Sequence, residues 1–144
     1  MPSVLFVGAG RHQRRAIAQA RDRGLRVVAV DRSDAAPGLE LADVAEVVDF
    51  ADVDAVEEVA RRHEVDGALT VSADRAVPIV ATVTERLGLP SIGSDVAHRM
   101  THKIAMRRTL AEEGIPQPPF AAGALHKAGD HVIERIAEYA ALRQ

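Results

Sequence analysis

The sequence predicts an α/β fold, a Rossmann-like three-layer sandwich around a mostly parallel sheet. Short β-branched apolar runs alternate along it with stretches of helical periodicity, the pattern of successive βαβ units joined by right-handed crossovers. A Gly-Ala-Gly turn at positions 8–10 separates the first run from the first helical stretch, at the end of the sheet where such folds bind ligands. The size agrees: 144 residues, 47% hydrophobic and 27% charged with a net charge of −3, suit one domain whose core closes without disulfide or metal staples.

Taken in order, residues 3–7 form a strand ended by the glycine turn, and Ile17, Ala18, Ala20 and Arg21 mark a helix that Gly24 stops. Residues 25–30 are a β-branched second strand closing on Asp31, and residues 36–43 are turn-rich around Ala36-Pro37-Gly38, with room for one helical turn. Residues 45–50 read as a third strand. Asp52 and Asp54 open a helix carrying Val56, Val59 and Ala60 on one face and ending in Arg61-Arg62-His63, the charge order that the helix dipole favours. Residues 67–71 form a fourth strand, and Asp74 is placed to cap a helix running to Leu87 before Gly88 and Pro90 break it.

Beyond the break, Ser91-Ile92-Gly93 is expected to add a short fifth strand, and Ser94 and Thr101 to cap two consecutive helices, the second stopped by Gly114. Three prolines among Pro116, Pro118 and Pro119 then make an extended connector that ends at Phe120. Val132, Ile133, Ile136 and Ala140 repeat at helical spacing in the tail. The expected organisation is residues 1–93 as the Rossmann-like domain, 94–120 as a helical segment with a proline-rich linker, and 121–144 as a tail with one helix.

Composition excludes several functions. Without cysteine there is no disulfide, thiolate metal site or cysteine nucleophile. Slight acidity, with Phe6, Phe50, Phe120 and Tyr139 as the full aromatic set, argues against nucleic acid as a partner. No apolar run approaches the roughly 20 residues of a membrane span, and the first residues are too short and uncharged for a signal peptide, so a cytoplasmic location without membrane association is expected.

In an open parallel sheet the informative residues follow the strands. Gly8 and Gly10 permit a tight turn that brings backbone amides to an anion at a helix N-terminus; Arg11, Arg14 and Arg15, unfavourable to the dipole of their own helix, are either solvated surface arginines or part of such an anion site. Asp31 stands where an acid accepts ribose hydroxyls, or caps a loop. The third glycine of a dinucleotide fingerprint would fall at position 13, which is Gln13. Ser72 lacks the flanking glycines of a nucleophile elbow. His98 and His102 are spaced for a metal, but no third ligand joins them and the Thr101 cap is expected to divide their helix; no metal site is expected.

The ordered set Gly8-Ala9-Gly10, Val30-Asp31, Ala36-Pro37 to Leu41-Ala42-Asp43, Asp66-Gly67 to Ser72-Ala73-Asp74, Leu87-Gly88-Leu89-Pro90, Thr101-His102-Lys103, Met106-Arg107 and Gly114-Ile115-Pro116 with Pro118 resembles the N-terminal, pre-ATP-grasp portion of ATP-grasp enzymes. Relatives of that kind include biotin carboxylase, the large subunit of carbamoyl-phosphate synthetase and the carboxylate–amine ligases. The resemblance implies a substrate-binding domain, with Gly8, Gly10, Arg11, Asp31, Ser72 and Asp74 lining the substrate cleft and Lys103 contacting an ATP phosphate. Taken alone, Lys103 in a first helical turn is a solvated side chain set against the dipole. Position 102 departs from the family, which carries an acid where this chain has His102.

The implied chemistry is ATP-dependent activation of a carboxylate to an acyl phosphate, then attack by an amine, with magnesium between the phosphates. ATP and magnesium belong to the complete enzyme, and neither is expected to bind this chain tightly. No glycine-rich lid, second phosphate-binding lysine or late carboxylate pair follows Phe120, and Lys127 does not match the family's second lysine. The chain is therefore expected to be inactive alone, with a small-molecule carboxylate or amine as ligand and a homodimer, or a partner chain carrying the ATP-grasp domain, as its assembly. The alternatives are a free-standing Rossmann-like nucleotide or metabolite module and a subunit of a split ligase.

Overall fold

The computed structural model describes residues 1–120, in two compact units: Met1–His102 and a second that begins at Lys103. The first is built on a four-stranded sheet, β1 (Ser3–Val7), β2 (Arg26–Asp31), β3 (Val44–Val47) and β4 (Gly67–Leu69), in the order β3-β2-β1-β4 with every pairing parallel. Val4 sits opposite both Val27 and Gly67, and Val28 opposite Val44. Around the sheet lie α1 (Arg14–Asp22), α2 (Val53–Arg62), α3 (Val77–Arg86) and α4 (Ser94–Thr101), with a 3-10 turn at Leu39–Leu41. The alternation of strand and helix expected from the sequence is the observed one.

Side-chain alternation along β1 and β2 divides the core. Val4, Phe6, Val27 and Ala29 pack with Ile17 and Ala20 of α1 and with Leu39, while Leu5, Val7, Val28 and Val30 pack with Val56, Val59 and Ala60 of α2 and Val83 of α3. Apolar residues on both faces are what covered parallel strands require, and the result is three layers. The Asp52 carboxylate accepts the Ala55 N–H at 3.0 Å to cap α2.

Several local expectations are corrected. Ser91-Ile92-Gly93 is not a strand: the Ser91 hydroxyl bonds the buried Thr84 hydroxyl at 2.9 Å and accepts the Gly93 N–H at 3.1 Å, which makes a polar turn. Beside β4 this leaves a groove of about 420 Å³ lined by residues such as Leu69, Val80 and Ile92. Ser94 is the first residue of α4 rather than its cap, and its N–H donates to the Glu85 carboxylate at 3.1 Å. Thr101 ends α4 instead of capping the next helix, because its hydroxyl donates to the Ala97 carbonyl one turn back at 2.8 Å. Asp74 heads a 3-10 turn (Asp74–Ala76) without capping through its side chain, and α3 starts behind it with Pro78 in its first turn, where the missing N–H is harmless.

The second unit opens with α5 (Lys103–Glu112). Gly114, at φ +66°, turns the chain, and the Ile115 N–H closes on the Leu110 carbonyl at 2.9 Å. The proline-rich connector that follows has no regular structure, yet Gln117 donates to the Arg107 carbonyl at 2.8 Å and so folds its start back on α5. Lys127 and the helix expected near 131–142 lie outside the described residues. No helix among the described residues is long and apolar enough to cross a membrane.

Candidate functional site

The turn after β1 is held by three long-range bonds, and a local one steadies the carboxylate that makes one of them. Gly8 adopts φ +93°, a conformation that only glycine takes without strain, and its N–H donates to the Val30 carbonyl at 2.9 Å. The Ala9 N–H donates to Asp31 Oδ2 at 2.8 Å, and the Asp31 Oδ1 accepts the Ser33 N–H at 3.0 Å. Gly38 donates its N–H to the Ala9 carbonyl at 2.7 Å. Of the two roles open to Asp31, bracing the loops is the one displayed.

Gly38 is a residue that sequence reasoning missed. A Cβ there would lie 2.5 Å from the Ala9 carbonyl oxygen and 2.9 Å from Ile17 Cδ1, so only glycine lets the 36–38 loop approach the glycine turn. The signal was present as Pro37-Gly38, but its partner is 29 residues away in the chain, out of reach of any local pattern.

Gln13, in the sequence merely the residue that stands where a fingerprint has glycine, has a structural role. Its side chain is 7% exposed and does not cap α1. Instead its amide Nε2 donates to the Val71 carbonyl, and its Oε1 lies against Gly10, 3.2 Å from where a Cβ would be. The Thr70 hydroxyl makes a second tie, donating to the Val7 carbonyl at 2.7 Å. Ser72 follows at φ +56°, exposed, with Asp74 exposed two residues on.

The structure therefore brings Gly8, Gly10, Arg11, Asp31, Ser72 and Asp74 to one rim, the carboxyl ends of β1, β2 and β4. Lys103 belongs to the second unit, exposed at the start of α5. With the N–H groups of Gly8 and Ala9 engaged, those of Gly10, Arg11 and His12 have no partner among the described residues, and neither do those of Arg14, Arg15 and Ala16 in the first turn of α1.

The arginines are distributed unevenly. Arg21, Arg61, Arg62, Arg86 and Arg99 are in ion pairs, and Arg23, Arg26 and Arg107 donate to carbonyl or side-chain oxygens. Arg11, Arg14, Arg15, Arg32, Arg75 and Arg108 have no side-chain partner among the described residues. All of these but Arg108 are exposed on the loops after β1, β2 and β4 or open α1. Asp31, Asp34 and Asp74 are the acids on these same loops, three against the five arginines, so the rim carries an excess of positive charge beside unpaired amides.

His98 and His102 stack with ring centroids 4.9 Å apart although α4 ends between them at Thr101, as expected; the His102 N–H still closes on the His98 carbonyl at 2.8 Å. No group of three or more His, Asp or Glu that could hold a metal ion occurs among the described residues. Lys103, which the resemblance assigns to an ATP phosphate, stands exposed in the second unit, and the described residues gather no carboxylate cluster that could hold magnesium.

A parallel sheet covered by helices on both faces, with glycine-braced turns at the carboxyl ends of its strands, defines a Rossmann-like α/β domain. Residues 17–91 match the ATP-grasp N-terminal domain, and the chain belongs to that family. It is 36% identical over 115 residues to the formate-dependent phosphoribosylglycinamide formyltransferase of Synechococcus sp. (strain CC9605), covering 77% of this chain and 29% of that protein. The chain thus spans under a third of the length of that relative. In fold it is similar to phosphoribosylglycinamide synthetase from Anaerococcus prevotii (TM-score 0.73, 21% identity, 96% of this chain and 34% of the other). It is similar as well to N5-carboxyaminoimidazole synthetase from Staphylococcus aureus, a structure complexed with ADP (TM-score 0.75, 18% identity, 92% and 35%).

Proposed function

We propose that this chain is the substrate-binding N-terminal domain of an ATP-dependent carbon–nitrogen ligase in the cytoplasm, and that its rim holds the anionic end of a phosphorylated small-molecule substrate. The observation that carries this reading is the gathering of unpartnered arginines and unpaired amides on the loops after β1, β2 and β4. An anion there gains charge-assisted hydrogen bonds and the favourable end of the α1 dipole. The name of the Synechococcus relative supports a phosphoribosyl compound as the chemical class.

Each residue then has a role. Gly8 and Gly10 shape the turn, Arg11 meets the anion, and Asp31 braces the turn from β2. Ser72 and Asp74 form the opposite wall and bond the hydroxyl or amine end of the substrate. Lys103 contacts an ATP phosphate in the complete enzyme, where magnesium-bound ATP activates a carboxylate. Residues 1–93 form the substrate-binding domain and 94–120 connect it to the catalytic portion, supplied by further chain or by a partner; the 144 residues alone do not catalyse.

Titration calorimetry with ribose 5-phosphate tests the reading. Binding that weakens roughly tenfold in Arg11→Ala, the loss expected for one charge-assisted contact, supports it. Absence of binding, or affinity indifferent to Arg11→Ala, overturns it.

A further inference from the structure

We propose that Gln13 is a positioning residue that sets the width of the substrate cleft by tying the wall that carries Ser72 and Asp74 to the glycine turn. The proposal rests on the rim being the ligand site. Gln13 is nine-tenths buried at the head of a helix it does not cap, and its side chain spans from the turn after β1 to the loop after β4 through the bond to the Val71 carbonyl. The next residue, Ser72, holds a left-handed backbone (φ +56°) that a serine adopts only under constraint. Thr70, one residue before Val71, is tied to β1 by its hydroxyl at 2.7 Å, so the loop is pinned at two successive residues just before it turns into the cleft at Ser72. A glycine at position 13 would leave the Val71 carbonyl without this donor and open the space over Gly10.

Two variants separate the tether from mere packing. Gln13→Met keeps the volume and removes the donor. Gln13→Glu keeps the shape but donates only when protonated, and ionised it repels the Val71 carbonyl. Hydrogen exchange of the peptide spanning residues 70–76, corrected for intrinsic rates, is expected to quicken roughly three- to tenfold in Gln13→Met, the worth of one neutral hydrogen bond, with α2 unchanged. In Gln13→Glu the same loosening is expected at about pH 8 and recovery at about pH 5, burial raising the carboxyl into that range, whereas the unsubstituted protein shows no such change.

Ribose 5-phosphate affinity should fall with loop protection in both variants. In the unsubstituted protein, nuclear Overhauser contacts from the Gln13 side-chain amide protons to the backbone of Val71 or Ser72 are expected, so the tether remains testable if a variant fails to fold. Unchanged exchange at 70–76 in Gln13→Met, a Gln13→Glu response indifferent to pH, or absence of the Overhauser contacts overturns the proposal. If the unsubstituted protein fails to bind ribose 5-phosphate, the substrate reading falls while exchange alone still decides the tether; loosened exchange with unaltered affinity refutes the positioning role.

Discussion

At the scale of single residues, the rim is held by a few groups whose removal has distinct consequences. Gly38→Ala forces a methyl to within 2.5 Å of the Ala9 carbonyl oxygen, and the backbone must move to relieve it. We expect a loss of about 1–3 kcal/mol in urea unfolding, typical of overpacking. Asp31→Ala strips a carboxylate that accepts from two backbone N–H groups at 2.8 and 3.0 Å; a similar loss of about 1–3 kcal/mol and weaker ligand binding should follow from the loosened turn. Gly8, Gly10 and Asp31 were legible in the sequence because their spacing is a local signature. Gly38 and Gln13 were not, because what each does depends on a partner, the Ala9 or Val71 carbonyl, that only the fold brings near.

At the scale of elements, periodicity found the strand and helix alternation, since a strand buried on both faces and a helix buried on one leave different marks in sequence. Side-chain hydroxyls defeated it where they bond backward rather than forward: Thr101 closes α4 instead of capping α5, and Ser91 turns the expected fifth strand into a loop. The Asp52 cap of α2 behaved as written in the sequence, and Asp52→Ala is expected to lower stability by about 0.5–2 kcal/mol by chemical denaturation. Between β3 and α2, the Glu46 carboxylate accepts from His63 at 2.7 Å and from Arg62 at 3.1 Å. The His63 bond foremost, with Arg62 assisting, holds Glu46 below its ordinary value of 4.5. A carboxyl lowered on folding stabilises the protein above its unfolded value, and that contribution disappears as pH falls through the folded one. Thermal unfolding scanned from pH 7 downward should therefore show a loss below about pH 4.5 that is smaller in Glu46→Gln; equal slopes would remove this pair from the account.

At the scale of the molecule, the chain folds a complete three-layer core and a rim of unpaired cationic groups, while it spans 29% of the length of the Synechococcus relative. The ATP-grasp resemblance was legible because its motifs, though individually weak, occur in order along residues 3–120. We expect the purified chain to hydrolyse no magnesium-bound ATP in a phosphate-release assay, because a lone Lys103 cannot stabilise a transferring phosphoryl group; steady turnover would refute this. The central claim, that the carboxyl-end rim of the sheet is the substrate side, is tested most directly by 15N chemical-shift mapping with ribose 5-phosphate. The account predicts saturable shifts confined to residues 8–15, 31–33 and 70–75. Shifts clustered at the opposite rim, around Arg21, Leu25 and Asp43, or none at saturating ligand, would contradict it.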